Sequence, residues 1–255
     1  MASACGPGAE GEGGGAGDPG SSAGRPDAPI YPVPDTPSGE LLARAIAFHD
    51  PDGVWRTRPL EARWESSRPG GERRIAELLV DNGSGTFDLE MEFRGHALEL
   101  QVSGDTVHTR VNGSEEFTPQ VRERLRLHRE GGLYWRNYFL FLLGMPMKLT
   151  DRETELVDDP RTVAFLGRRT LAIRARYETE NGYPWWEFYF APDDARLVGA
   201  RFWREAPDAD GEYIVMEGIA ETGSLRLPEE RRWYTNAGGE HLGTDRVARL
   251  EVAER

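Results

Sequence analysis

The residues of this 255-residue chain whose types could do chemistry are five histidines, one cysteine and 44 carboxylates. The histidines stand at 49, 96, 108, 128 and 241, and none falls in an H-E-x-x-H or similarly close spacing, so no metal site is expected. His49 and Asp50 are adjacent, beside Trp55, where a predicted helix ends. An imidazole near a helix C-terminus, next to a carboxylate, favours its charged form. The pair reads either as a proton carrier or ligand hydrogen-bonder at a pocket mouth, or as a structural histidine holding the last carbonyls of its helix. No G-x-S-x-G motif stands between a predicted strand and a helix as a nucleophile elbow would. No G-x-G-x-x-G motif follows a predicted strand and there is no P-loop, so no cofactor is indicated. Carboxylates that alternate along strands are usually the solvated face. A glycosidase pair can be far apart in sequence, and nothing singles out two. No catalytic residue is assigned on this basis.

Apolar side chains are the other resource. Leu133 to Leu143 reads Leu-Tyr-Trp-Arg-Asn-Tyr-Phe-Leu-Phe-Leu-Leu, followed by Gly144-Met145-Pro146-Met147. A surface helix is apolar along one stripe, whereas this one is apolar nearly all round, so protein or ligand must cover it on most sides. Eleven residues are too few for a bilayer span, which needs about twenty. Tyr134, Tyr138, Trp186 and Trp233, with the adaptable Met145 and Met147, are candidates to line a ligand cavity.

The elements that must position these residues are mostly strands. Phe87, Leu89, Met91 and Phe93 alternate with charged residues, as a half-buried strand does. A turn at Gly95-His96 would pair Phe93 with Leu98, Met91 with Leu100 and Leu89 with Val102. A turn at Gly104-Asp105 would pair Val102 with Val107, Leu100 with Thr109 and Leu98 with Val111. Leu60 to Trp64 and Ile75 to Val80 give earlier strands, and alternation resumes at Leu171. Asn181-Gly182 is a turn signal. Further strands are expected at 186–190, 196–203, 212–221, 231–235 and 242–252. A first helix is expected after Ser38 as N-cap, with Leu42, Ala45, Ile46 and His49 on one face. A second follows Thr118-Pro119, carries Val121, Leu125 and His128 on one side, and is broken by Gly131-Gly132. The fold class expected is mainly β (α+β): a large curved antiparallel sheet, an unclosed half-barrel, wrapping a few helices on its concave face. Leu133 to Leu143 would be the deepest plug.

Residues 1–37 are rich in Gly, Ala, Ser, Pro and acids and cannot bury enough apolar surface to fold, so a disordered tether is expected, with one domain over 38–255. Ala2-Ser3-Ala4-Cys5 resembles the end of a bacterial lipoprotein signal, which would make Cys5 a lipidation site; the other reading is an ordinary free cysteine in a tail. The net charge of -13 excludes a nucleic-acid partner and argues against adhesion to an anionic membrane surface.

Several stretches together carry a resemblance. They are Ala45 to Trp55, Asn137 to Leu149, Trp186 to Pro192, Gly211 to Ile214, Arg232 to Asn236 and Leu242 to Asp245. In this order and spacing they resemble a domain-of-unknown-function family of secreted bacterial proteins, many with lipoprotein signals, over about residues 38 to 250. That layout is similar to the periplasmic lipoprotein carriers and outer-membrane lipoprotein receptors (LolA/LolB-like). The resemblance implies an unclosed β-barrel wrapping helices around an apolar cavity that takes acyl chains, in a protein of the cell envelope. The first expectation is therefore an exported, lipid-anchored, non-enzymatic protein that binds an apolar or acyl-chain ligand. Its ligand-binding residues would be His49, Trp55, Tyr134, Tyr138, Leu142, Met145, Met147, Trp186 and Trp233. The alternatives are an extracytoplasmic hydrolase using His49 and Asp50, and a structural lipoprotein without a ligand.

Overall fold

A computed structural model describes residues 30–71, 73–125, 127, 129–177, 184–204, 207 and 210–254. Cys5, His128 and the Asn181-Gly182 turn lie outside the described residues. Helix α1 (Pro37–His49) is capped by Thr36 rather than Ser38: the Gly39 amide donates to Thr36 Oγ1 at 3.1 Å. Pro37 then takes the first helical position, where its missing N–H leaves nothing unsatisfied. Leu42, Ala45, Ile46 and His49 are all buried, as their spacing requires. A single turn, α2 (Val54–Thr57), follows.

Strands β1 (Leu60–Ser67), β2 (Arg74–Asp81), β3 (Thr86–Phe93), β4 (His96–Ser103) and β5 (Thr106–Val111) form a first meander. Helices α3 (Pro119–Leu125) and α4 (Arg129–Leu143) and a 3-10 turn (Met147–Thr150) interrupt the sheet. The second meander comprises β6 (Thr154–Phe165), β7 (Arg168–Tyr177), β8 (Trp185–Phe190), β9 (Leu197–Trp203), β10 (Gly211–Thr222), β11 (Leu225–Thr235) and β12 (His241–Val252). All the strands belong to one antiparallel sheet, in the order β5-β4-β3-β2-β1-β12-β11-β10-β9-β8-β7-β6. The β1–β12 pairing joins the two meanders, while β5 and β6 are edges that do not meet, so the barrel stays open. α4 packs on β4 and β5, and α1 on β6 and β11. Helices therefore fill the concave side and bridge toward both edges. Rows of apolar side chains cross the strands beneath them, such as Ala62, Leu78, Leu89 and Leu100, all buried.

The β4–β5 register is the expected one. The β3–β4 register is not: the turn is Arg94-Gly95, which pairs Phe93 with His96, Met91 with Leu98 and Leu89 with Leu100. Both turn residues have positive φ, 53° and 78°, as a two-residue hairpin turn of this kind demands. The two registers differ by an even number of residues, so every side chain keeps its face and the apolar pattern accepts either.

Gly131 and Gly132 do not break a helix but lie inside α4. A Cβ on Gly132 would sit 2.5 Å from Val107 Cγ1, so the glycine lets α4 press onto β5. At the other end a Cβ on Gly144 would sit 2.3 Å from Trp55 Cζ2. Met145, Met147 and Leu149 are buried behind it, so this segment belongs to the core. Strand β6 was not expected from its sequence. It contains Pro160 and a register break between Val157 and Arg161. Both are tolerated on an edge and discourage pairing with another chain. Its far end curls onto the outer face, where Phe165 stacks on Tyr189 at 4.1 Å and covers Gly199, forming a second small core with Ala172.

Candidate functional site

Helix α4 is two-faced. Trp135, Phe139, Leu142 and Leu143 are buried toward the sheet, with Phe139 against Trp64 (5.9 Å) and Phe87 (6.3 Å). Tyr134, Asn137, Tyr138 and Phe141 fall on another face and open onto a cleft of about 470 Å³. A turn-by-turn spacing of four and three residues puts Tyr134, Tyr138 and Phe141 in one row. The facing wall comes from the ends of five strands: Tyr177, Trp186, Phe202, Trp233 and Leu242. Trp186 is the hub, 4.8 Å from Phe141 and 4.5 Å from Phe202 between ring centres. Strand alternation alone places Trp186, Phe202 and Trp233 on the concave face.

The polar groups of the cleft are few. Arg68 and Glu212 line it, and burial holds the Glu212 carboxyl above the usual carboxylate range. Burial, reinforced by Asp245, raises the Tyr138 hydroxyl, which therefore stays protonated. Asp245 is fully buried, accepting the Trp233 indole N–H at 2.7 Å and Arg68 at 3.3 Å. Behind it lies Arg231, also fully buried, whose cation is pushed down to about 10 by burial. Asn137, Phe141 and Tyr177 also line a second, polar hollow of about 730 Å³, where Asp81, Arg136, Lys148, Asp151 and Glu153 gather.

Of the residues singled out from sequence, Tyr134, Tyr138, Leu142, Trp186 and Trp233 come together here. Met145, Met147, Trp55 and His49 do not; each is buried in the core away from the cleft. Phe141, Asn137, Tyr177, Phe202, Glu212, Leu242 and Arg68 were missed. Phe141 was legible from its spacing with Tyr134 and Tyr138; Arg68, just beyond a strand end, carried no signal.

His49 is a structural staple. Its Nδ1 donates to the Arg226 carbonyl at 2.6 Å, and Nε2 accepts the Leu197 amide at 3.0 Å, so both nitrogens are spent and the ring is neutral. The charged form expected of a helix C-terminus is overturned by burial, which pushes the pKa down from 6.5 to about 4. Asp50 is turned elsewhere: it caps α2, accepting the amides of Val54 (2.8 Å) and Trp55 (3.0 Å), and also the Tyr31 hydroxyl. The His49-Asp50 pair is therefore a folding device. Between pH 6.5 and about 4 only the unfolded chain protonates this histidine. Stability is then full above pH 6.5 and falls as pH drops toward 4, by about 3 kcal/mol from this group. Urea midpoints of wild type and His49→Gln across pH 4–7 should diverge in slope, and parallel curves would refute the assignment.

Among the described residues no three His, Cys, Asp or Glu side chains gather as a metal would need, and no helix is long and apolar enough to cross a membrane. The cleft can bury apolar surface between aromatic walls with a few polar groups at its margin.

No protein-family model and no curated protein sequence matches this chain. Solved structures do resemble it. A LolA superfamily protein from Nitrosomonas europaea has a TM-score of 0.52 at 7% identity, covering 86% of this chain and 94% of that one. A putative outer membrane lipoprotein-sorting protein domain from Vibrio parahaemolyticus has a TM-score of 0.48 at 10% identity, covering 84% and 91%. A DUF1329 family protein from Desulfovibrio piger has a TM-score of 0.43 at 12% identity, covering 85% and 93%. At such identities the likeness is one of fold: this chain shares the overall fold of the LolA superfamily structure.

Proposed function

We propose that this protein is a non-enzymatic carrier or receptor that holds an apolar or acyl-chain ligand in the cleft beneath α4. The observation that carries the reading is the cleft itself, an aromatic-walled space of about 470 Å³ between a helix and the concave face of an unclosed sheet. That volume lies within the range of small-molecule sites. Each CH2 buried there contributes about 0.8 kcal/mol, so an acyl chain needs no directed polar contact to bind. The polar hollow that shares Phe141 and Tyr177 with the cleft suits the head of an amphiphile. The binding set in this reading is Tyr134, Tyr138, Phe141, Leu142, Trp186 and Trp233. A lipidated Cys5 anchors the protein in the cell envelope in this reading, and the folded unit it holds begins earlier than residue 38, because Tyr31 bonds Asp50, Val33 packs on the core and Pro37 opens α1. The hydrolase reading loses its support, because His49 and Asp50 spend their side chains on the fold.

The test is native mass spectrometry with organic extraction of the full chain, expressed with export and purified without detergent. A reproducible added mass that leaves on extraction and is identified as lipid is the expected result. A clean apoprotein mass, with no uptake of fluorescent fatty acid, would favour a structural protein with a filled core and sink the proposal.

A further inference from the structure

We propose that the outer face of the sheet carries a second ligand site, a groove of about 660 Å³ that binds the phosphate oxyanion of a small ester or lipid headgroup. The groove lies across the sheet from the cleft and does not depend on the acyl-chain reading. Three separate elements converge on it. The tip of the β6–β7 hairpin, held down by the Phe165–Tyr189 stack, brings Arg168 and Arg169. The β8–β9 turn brings Arg196, and β11 brings Arg232. Between them the floor is apolar, with Val198 and Val215 beside the ring of Tyr213.

Charge gives the groove its meaning. Its positive charge comes from Arg168, Arg169 and Arg196, because the fourth arginine, Arg232, is ion-paired with Glu217, the one carboxylate of the lining, and with Glu230. The guanidinium groups of Arg168, Arg169 and Arg196 have no acidic partner among the described residues. Asp194, the nearest acid along the chain, turns its carboxylate to the Arg196 backbone amide at 2.9 Å. In the rest of the sheet, arginines such as Arg63, Arg73 and Arg246 are matched to glutamates. A positive groove on a chain of net charge -13 is thus a local reversal. Converging like charges are unfavourable until an anion enters, and the planar guanidinium fork fits two oxygens of a phosphate.

The full chain would be titrated calorimetrically with glycerol 3-phosphate, and sedimented with vesicles of phosphatidylglycerol or of phosphatidylcholine. The comparison is the triple variant Arg168→Ala, Arg169→Ala, Arg196→Ala; these side chains are exposed and bond to no other described side chain, so its thermal midpoint should stay near that of wild type. The expected result is binding that weakens with salt and falls at least tenfold in the variant. Binding to glycerol 3-phosphate identifies a soluble ester as the source, and binding to phosphatidylglycerol vesicles alone identifies a headgroup. Absence of both at millimolar probe, or a variant that binds as wild type does, overturns the proposal.

Discussion

Phe141→Asp is expected to weaken uptake of a fluorescent fatty acid at least tenfold while leaving the protein folded. The ring of Phe141 is half-buried and meets Trp186 at 4.8 Å and Tyr177 at 5.5 Å, so it stands in the cleft wall and not in the core. A carboxylate in its place would be covered by the bound chain without a partner, which is strongly unfavourable. A tenfold loss corresponds to about 1.4 kcal/mol. Losing the two ring contacts should cost the fold about 1–2 kcal/mol, readable by urea denaturation. The neighbouring position would not serve. Leu142 is 2% exposed and packs into the core, so an aspartate there should unfold the protein and abolish uptake for an uninformative reason. Wild-type uptake by folded Phe141→Asp would show that this helix face is not the ligand wall.

Asp245→Ala is expected to destabilise the protein by about 3–5 kcal/mol, because it strands a buried cation. Arg231 is fully buried, donates from Nε to the Leu142 carbonyl at 3.1 Å and from a terminal nitrogen to the Pro228 carbonyl at 2.8 Å, and lies 4.8 Å over the Trp64 ring. Its other terminal nitrogen has no hydrogen-bond partner among the described residues, and Asp245 supplies the compensating negative charge. The denaturation midpoint should drop with little change in slope. Adding Arg231→Met to Asp245→Ala should recover much of the loss, since removing both charges spares the desolvation that removing one exposes. A double-mutant cycle reads the coupling directly, and simple additivity of the two changes would show that the charges do not interact.

Some of this architecture was written locally. The period-two pattern of Phe87 to Phe93 and of Leu98 to Val102 specified strands and their faces, because one face of a sheet must be apolar to be buried. The same pattern could not choose between two hairpin registers that differ by an even step; the positive-φ geometry at Arg94-Gly95 decided it. Strand β6 was hidden because edge strands carry the residues, here Pro160 and acids, that interior strands exclude. In α4 the residue types announced an element that had to be covered. They did not say which side would meet the sheet and which the cleft, since Trp135 and Tyr138 look alike to a helical periodicity.

The sequence by itself therefore determined a mainly β chain with an apolar helix set into an open antiparallel sheet, and it named aromatic rings as the material of any site. Only the tertiary structure decided which of those rings face one another. It also decided that His49 is neutral and Asp50 a cap, and that Gly132 and Gly144 are points of close approach. The physical reason is range. Burial pattern is fixed by neighbours along the chain, whereas a wall made of α4 and the ends of five strands, or a histidine pKa set by partners 148 and 177 residues away, exists only once the open sheet has wrapped its helices.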